Sequence, residues 1–229
     1  MSCLKCDEYS EFRVILQYNA SGVILYTHSM NARDLFYQKS DIVVFDTEFT
    51  TWEGSLERNW SGEGEYRELV QIAAKRINLQ TETEVDSFSV LMTPTINPTL
   101  SEYFIELTGI TQSDIDSEGV SFSTAFQKFL TWSSGIVKYS YSSRLHSKAD
   151  YEVIRENSLL YGLSTFPKPN DYKNIAPVFV EVGVDVSEYS SGELYRAFSL
   201  DLAGHVHNAM HDVESIVQSL YVTKKILTQ

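Results

Sequence analysis

Long apolar runs are missing from this chain of 229 residues. The longest, such as Ile42-Val43-Val44-Phe45, have strand length and fall well short of the ~18–20 residues that span a bilayer. The N-terminus lacks the basic region and apolar stretch of a secretory signal, so a cytoplasmic setting is the expectation. Cysteine is scarce. Cys3 and Cys6 form a single C-x-x-C, and with no second pair they fall short of the four ligands of a structural zinc site. They read as reduced thiols near a chain end, with a metal or redox role as the competing reading. Basic residues are in deficit, 18 Lys and Arg against 31 Asp and Glu, for a net charge of −13. A protein that coats nucleic acid through broad counterion release is basic, so that class is excluded. An enzyme acting on nucleic acid is not excluded, because metal ions can offset its carboxylates. Internal repeats and low-complexity segments are absent. Hydrophobic residues at 43% and charged residues at 21% fit a globular chain with one sizeable core and argue against wholesale disorder.

What is there falls into two parts. Residues 1–40 are electrically neutral, so the acidic excess lies entirely in residues 41–229. In the first part, Arg13 to Tyr18 and Val23 to Tyr26 flank Asn19-Ala20-Ser21-Gly22, the pattern of a β-hairpin. An isolated hairpin is marginal in water, so it is expected to join the main sheet or pack on the main domain. From Asp41 onward, strands are expected at Ile42–Phe49, Leu69–Ala74, Glu84–Met92 and Gly135–Tyr141. Helices are expected from Pro98 to a stop at Gly109, then over Phe122–Leu130, Asp150–Tyr161 and Asn208–Leu227. Ser190 and Glu193 offer a capping box before a helix at Leu194–Phe198. Strands come first and helices alternate later, which implies an α/β fold with a mixed central sheet flanked by helices. The stretch Gly54–Glu65 reads as a long loop.

Asp46-Thr47-Glu48 places two acids two residues apart at the end of an apolar run. The period of a strand puts both side chains on one face. Two such acids repel each other and lose hydration unless a cation sits between them, and a hard divalent ion suits oxygen ligands. A surface pair of acids is the plain alternative. Late in the chain, Asp212 shares a flank with the apolar face of the last helix, and His207 falls in the turn before it. A histidine there can act as a general base; Asp212 could equally serve the helix dipole. His205 and His211 lie close by, and spacing alone does not choose among the three. Asp150 opens the helix after the 135–141 strand, as a helix-start acid does.

Taken together, these motifs resemble one family. Phe45-Asp46-Thr47-Glu48-Phe49-Thr50 matches the first motif of the DEDDh-type 3′→5′ exonucleases of RNase H-like fold. His207, four residues, then Asp212 matches the third, and Asp150 with Ile154 resembles the middle one. Between them, Pro94–Pro98 with Leu100–Tyr103 and Leu107-Thr108-Gly109-Ile110-Thr111-Gln112 is similar to the branch of histone-mRNA 3′ exonucleases and their bacterial relatives. Residues 1–40 do not resemble that branch's RNA-binding extension. The resemblance implies two divalent ions, Mg²⁺ or Mn²⁺, held by Asp46, Glu48, Asp150 and Asp212, with His207 as general base. It implies hydrolysis at the 3′ end of a single strand, with RNA slightly favoured over DNA. A catalytically silent binding module of the same fold is the alternative. Phe49, Thr50 and Trp52 are candidates to meet the terminal nucleotide, with an aromatic stacked on the base; packing is the competing role for the two aromatics. The one long stretch of positive balance runs from Lys138 through Arg144, Lys148, Arg155 and Lys168 to Lys173, with five tyrosines interleaved. It is a candidate strand-binding groove, with Lys148 and Arg155 as contacts, or else a solvated loop.

Overall fold

The structure, a computed structural model, describes residues 15–18, 24–27, 31–38, 40–145, 147, 149–164 and 166–229. In chain order its elements are β1 (Ile15–Tyr18), β2 (Ile24–Thr27), α1 (Ala32–Tyr37), β3 (Ile42–Phe49), β4 (Leu69–Asn78), β5 (Thr83–Leu91), α2 (Glu102–Thr108), α3 (Gln112–Glu118), α4 (Phe122–Trp132), β6 (Lys138–Ser140), α5 (Ala149–Leu160), β7 (Tyr172–Asn174), α6 (Ala176–Glu181) and α7 (Ala209–Leu227). A 3₁₀ helix, Ser191–Phe198, precedes α7. Among the described residues no helix is long and apolar enough to cross a membrane. Cys3, Cys6 and the turn 19–22 lie outside the described residues.

The main sheet has the order β5-β4-β3-β6-β7. β5, β4 and β3 run antiparallel in turn, and β6 and β7 continue parallel to β3. The sheet is therefore mixed, as the strand-then-helix pattern implies. β1 and β2 pair antiparallel as a sheet of their own and add no strand to the main one. Helix α1 belongs to the main body: Ala32, Leu35 and Phe36 are buried in one core with α6 and α7.

β3 explains why the site sits where it does. Its side chains alternate, and both faces are covered. Ile42 and Val44 pack with Val213, Ile216 and Leu220 of α7. Val43 and Phe45 pack with Phe126 and Phe129 of α4 and Ile154 of α5. Phe45 and Phe129 meet at 5.8 Å between ring centroids. Burying one such ring contributes about 2–3 kcal/mol, so this aromatic layer anchors α4 to the sheet. A strand covered on both faces has no solvated side on which to place acids, yet Asp46 and Glu48 lie on it. The register with β4 shifts between Glu48 and Phe49, an irregularity of the kind found next to active sites.

The segment from Leu100 to Gln112 is a helix stop followed by a helix start. Gly109 closes α2 in the left-handed conformation, φ 75°, with its N–H on the Ile105 carbonyl. Thr111 then opens α3 through a reciprocal capping box with Asp114. Gln112 ties the two ends together, accepting from Leu100 N (2.9 Å) and donating to Pro98 O (3.1 Å). Pro98 precedes α2 instead of opening it; the cap is Ser101, which accepts from Phe104 N (3.0 Å). The Ser190–Glu193 capping box does not form. Ser190 makes no side-chain cap, and the segment winds as a 3₁₀ helix.

Candidate active site

β3 carries Asp46 and Glu48 to the edge of a cleft of about 390 Å³. By strand alternation both face the α7 side of the sheet, where the first turn of α7 brings Asp212. One carboxylate oxygen of each of these three acids lies within 4.8 Å of the other two. All three are nearly sealed from solvent, with exposures of 5%, 9% and 1%. Asp150 approaches from the other face. The residue between the two strand acids, Thr47, donates to its Oδ1 at 2.7 Å. The four acids thus converge from both layers, and all of them line the cleft.

This packing is electrostatically unfavourable without a cation. Burial pushes the Asp46 and Glu48 carboxyls well above the usual range, and their acidic neighbours push them further. Asp150 rises through burial, moderated by hydrogen bonds from Thr47 and Ser140. Asp212 is raised by burial to about 6, restrained by the Ser191 hydroxyl and by His207. Groups that resist ionisation when bare and offer only oxygen ligands fit a hard divalent ion such as Mg²⁺ or Mn²⁺.

His207, of the three histidines, is the one that lines the cleft. Its backbone is left-handed, φ 66°, a conformation that non-glycine residues hold at functional positions when their surroundings enforce it. Its N–H donates to Asp212 Oδ1 at 3.1 Å. His205 is exposed, with Nδ1 against the Val206 carbonyl. His211 is buried, with Nε2 against the Gly192 carbonyl and its ring edge-on to Tyr195.

Phe49 and Trp52 line the cleft together with Leu56, Trp60, Tyr103, Leu107 and Tyr141. The loop after β3 is organised. Asn59 and Trp60 are both left-handed. Trp60 Nε1 donates to Thr50 O (3.1 Å), and its ring meets Phe49 at 5.4 Å. The Arg67 guanidinium lies 5.5 Å from the Trp60 ring and pairs with Glu156. Thr50 is not part of the cleft wall. It is buried, and its hydroxyl donates to Tyr66 O (2.5 Å) and accepts from Glu68 N (3.0 Å), closing the base of this loop. Glu68 is fully buried. It accepts from the backbone N–H groups of Thr95, Ile96 and Asn97 and from the Tyr161 hydroxyl.

Among the described residues, the basic side chains of the 138–173 stretch do not line the cleft, although Tyr141 and Asp150 within it do. Lys138 is buried, with Nζ on the carbonyls of Ser133 and Ile136, because β6 is an interior strand. Arg155 is exposed on α5 and does not line the cleft. Lys148 lies outside the described residues. Tyr103, Leu107, Ser191 and Trp60 were not singled out as site residues by sequence reasoning. Tyr103 and Leu107 lie one helical turn apart on α2, and helical spacing by itself marks an apolar face and not a site.

A family model described as Exonuclease (RNase_T) matches residues 43–220. The 3′-5′ exonuclease Snipper of Drosophila melanogaster is 33% identical over 93 residues, 41% of this chain and 31% of that protein. ERI1 exoribonuclease 2 of Homo sapiens is 30% identical over 91 residues, 40% of this chain and 12% of that protein. The matched stretches thus span less than a third of either relative. Among solved structures, the nuclease domain of 3′hExo, described as a DEDDh family member bound to rAMP, superimposes with a TM-score of 0.65 at 20% identity. That match covers 82% of this chain and 94% of the other. It bears out the RNase H-like fold.

Proposed function

Because the chain belongs to the RNase_T exonuclease family, we propose that it is a metal-dependent 3′→5′ exonuclease acting on single-stranded nucleic acid. The observation that carries this is the convergence of Asp46, Glu48, Asp150, Asp212 and His207 in one cleft at the end of the central strand. Two divalent ions are the cofactors the four acids would hold; when bound, such ions supply Lewis acidity at the phosphate and make water a better nucleophile. The chain's own residues do the rest. Asp46, Glu48 and Asp212 form one side of the carboxylate cage, and Asp150, braced by Thr47, forms the other. His207 takes a proton from the attacking water through an imidazole nitrogen, a role worth about 10²–10⁴ in rate. Phe49, Trp52, Trp60 and Tyr103 give a base a surface to stack on, which tolerates any sequence. Arg155 meets the strand beyond the cleft. RNA is favoured over DNA, supported by the similarity to a protein named as an exoribonuclease.

A matched pair of 5′-labelled RNA and DNA single strands, incubated with Mn²⁺, Mg²⁺ or EDTA, tests this. The expected result is stepwise 3′ shortening that needs the metal, proceeds faster on RNA and is lost in Asp46→Asn. A folded protein that shortens neither strand with either ion overturns the reading.

A further inference from the structure

Both oxygens of the Asp212 carboxylate accept a hydrogen bond from the protein. His207 N–H donates to Oδ1 at 3.1 Å, and the Ser191 hydroxyl donates to Oδ2 at 2.9 Å. The last torsion of an aspartate is broad and roughly two-fold, so nothing within the residue fixes the plane of its carboxylate. Two donors on opposite oxygens do fix it, and each oxygen keeps a lone pair for an ion.

The next residue makes room for this arrangement. A Cβ at Gly192 would lie 2.3 Å from Asp212 Oδ1 and 2.9 Å from both Asp212 Cγ and Val206 Cγ1. No side chain fits there without moving the carboxylate. The segment is pinned to α7 on both sides of this contact. The Gly192 carbonyl meets His211 Nε2 at 3.2 Å, and Tyr195 N donates to Ser215 Oγ at 3.1 Å. The start of the 3₁₀ helix is therefore a fixed floor under Asp212.

We propose that Ser191 and Gly192 are positioning residues that orient the Asp212 carboxylate for a divalent ion, Ser191 by its hydroxyl and Gly192 by its lack of a side chain. The proposal rests on the metal-dependent reading above. Partners of this kind, which orient a ligand without touching the metal, are worth about 10–100-fold in affinity.

Calorimetric titration of Mn²⁺ into the full chain, without substrate, tests it. Ser191→Ala is expected to bind about tenfold more weakly, while its metal-free melting temperature falls by no more than the ~2–4 °C that one lost hydrogen bond costs. Ser191→Thr, which keeps the hydroxyl at a partly exposed position, restores the wild-type affinity. Gly192→Ala weakens binding as well, and if it fails to fold the two Ser191 variants decide. In turnover, Ser191→Ala needs more Mn²⁺ for half-maximal rate but approaches the wild-type rate at saturation. Wild-type affinity in Ser191→Ala, or equal losses in the Ala and Thr variants, overturns the proposal alone. A wild-type chain that binds no Mn²⁺ overturns it together with the metal-dependent reading.

Discussion

Replacing Asp212 with asparagine should stabilise the metal-free protein at neutral pH while abolishing its response to metal. Asp212 is 1% exposed and titrates at about 6, against an ordinary value of 3.8. That difference corresponds to about 3 kcal/mol of unfavourable ionisation once the pH is above 6. The sign follows from proton binding. Between 3.8 and about 6 the folded state binds more protons at this site than the unfolded state. Stability contributed by the site therefore falls as pH rises through that window. Asparagine removes the charge but has one acceptor oxygen where the carboxylate offers two. Either the Ser191 hydroxyl or the His207 N–H loses its partner, at about 1 kcal/mol. The net gain at pH 8 is then about 2 kcal/mol. For a chain of this length that is a rise of about 4–8 °C in melting temperature. At pH 4 the gain should vanish, because the wild-type carboxyl is then protonated and also has one free acceptor. The assay is thermal unfolding of both proteins in EDTA from pH 4 to 8; their difference removes the carboxylates remote from Asp212, while relief of Asp46 and Glu48, which the Asp212 charge also pushes up, adds to the gain in the same direction. Adding Mn²⁺ at a hundredfold its dissociation constant should stabilise wild type by about 2.7 kcal/mol and leave Asp212→Asn unmoved. A melting-temperature difference that stays constant across pH 4–8 would refute the electrostatic account of the cluster.

His207→Ala should lower kcat by about 10²–10⁴ with Mn²⁺ affinity retained, since its contact with Asp212 is made by the backbone N–H; calorimetry beside a single-turnover assay separates the two. Glu68→Gln should cost on the order of 3 kcal/mol, read from the urea midpoint, because one carboxylate oxygen of a buried four-donor site becomes an NH₂ facing the Asn97 N–H. The same variant should raise KM, since the 95–97 loop leads into the helix that carries Tyr103 and Leu107. Arg155→Glu should weaken binding of a strand long enough to leave the cleft and flatten its dependence on salt, while dinucleotide cleavage is unchanged.

β3 and β4 were legible as runs of β-branched and apolar residues, the pattern of strands covered on both faces. β3, the α2 stop at Gly109 and the long α7 all follow from residue pattern. β7 was not legible: Tyr172-Lys173-Asn174 is three residues long and has no period to read. Asp46 and Glu48 stood out because charge interrupts an apolar run. Ser191 did not, since a serine among small polar residues looks like a cap, and it carries meaning only through a partner 21 positions away. Thr50 misled for a related reason. It follows the acidic motif directly, but the register shift after Glu48 leaves its hydroxyl bound within the loop base. Within the basic stretch, charge counted along the chain ignores burial, and Lys138 is an interior residue.

The assembly of the carboxylates from both faces of the sheet bears on how the chain reaches its native state. Thr47 and Asp150 are 103 residues apart, and α7 returns to β3 from farther still. Contacts of such separation are closed at high entropic cost and tend to slow folding. The cage is therefore incomplete until α5 and α7 have both docked on the central strand. Mn²⁺ capture during refolding should report that final docking, lagging behind the growth of helical signal.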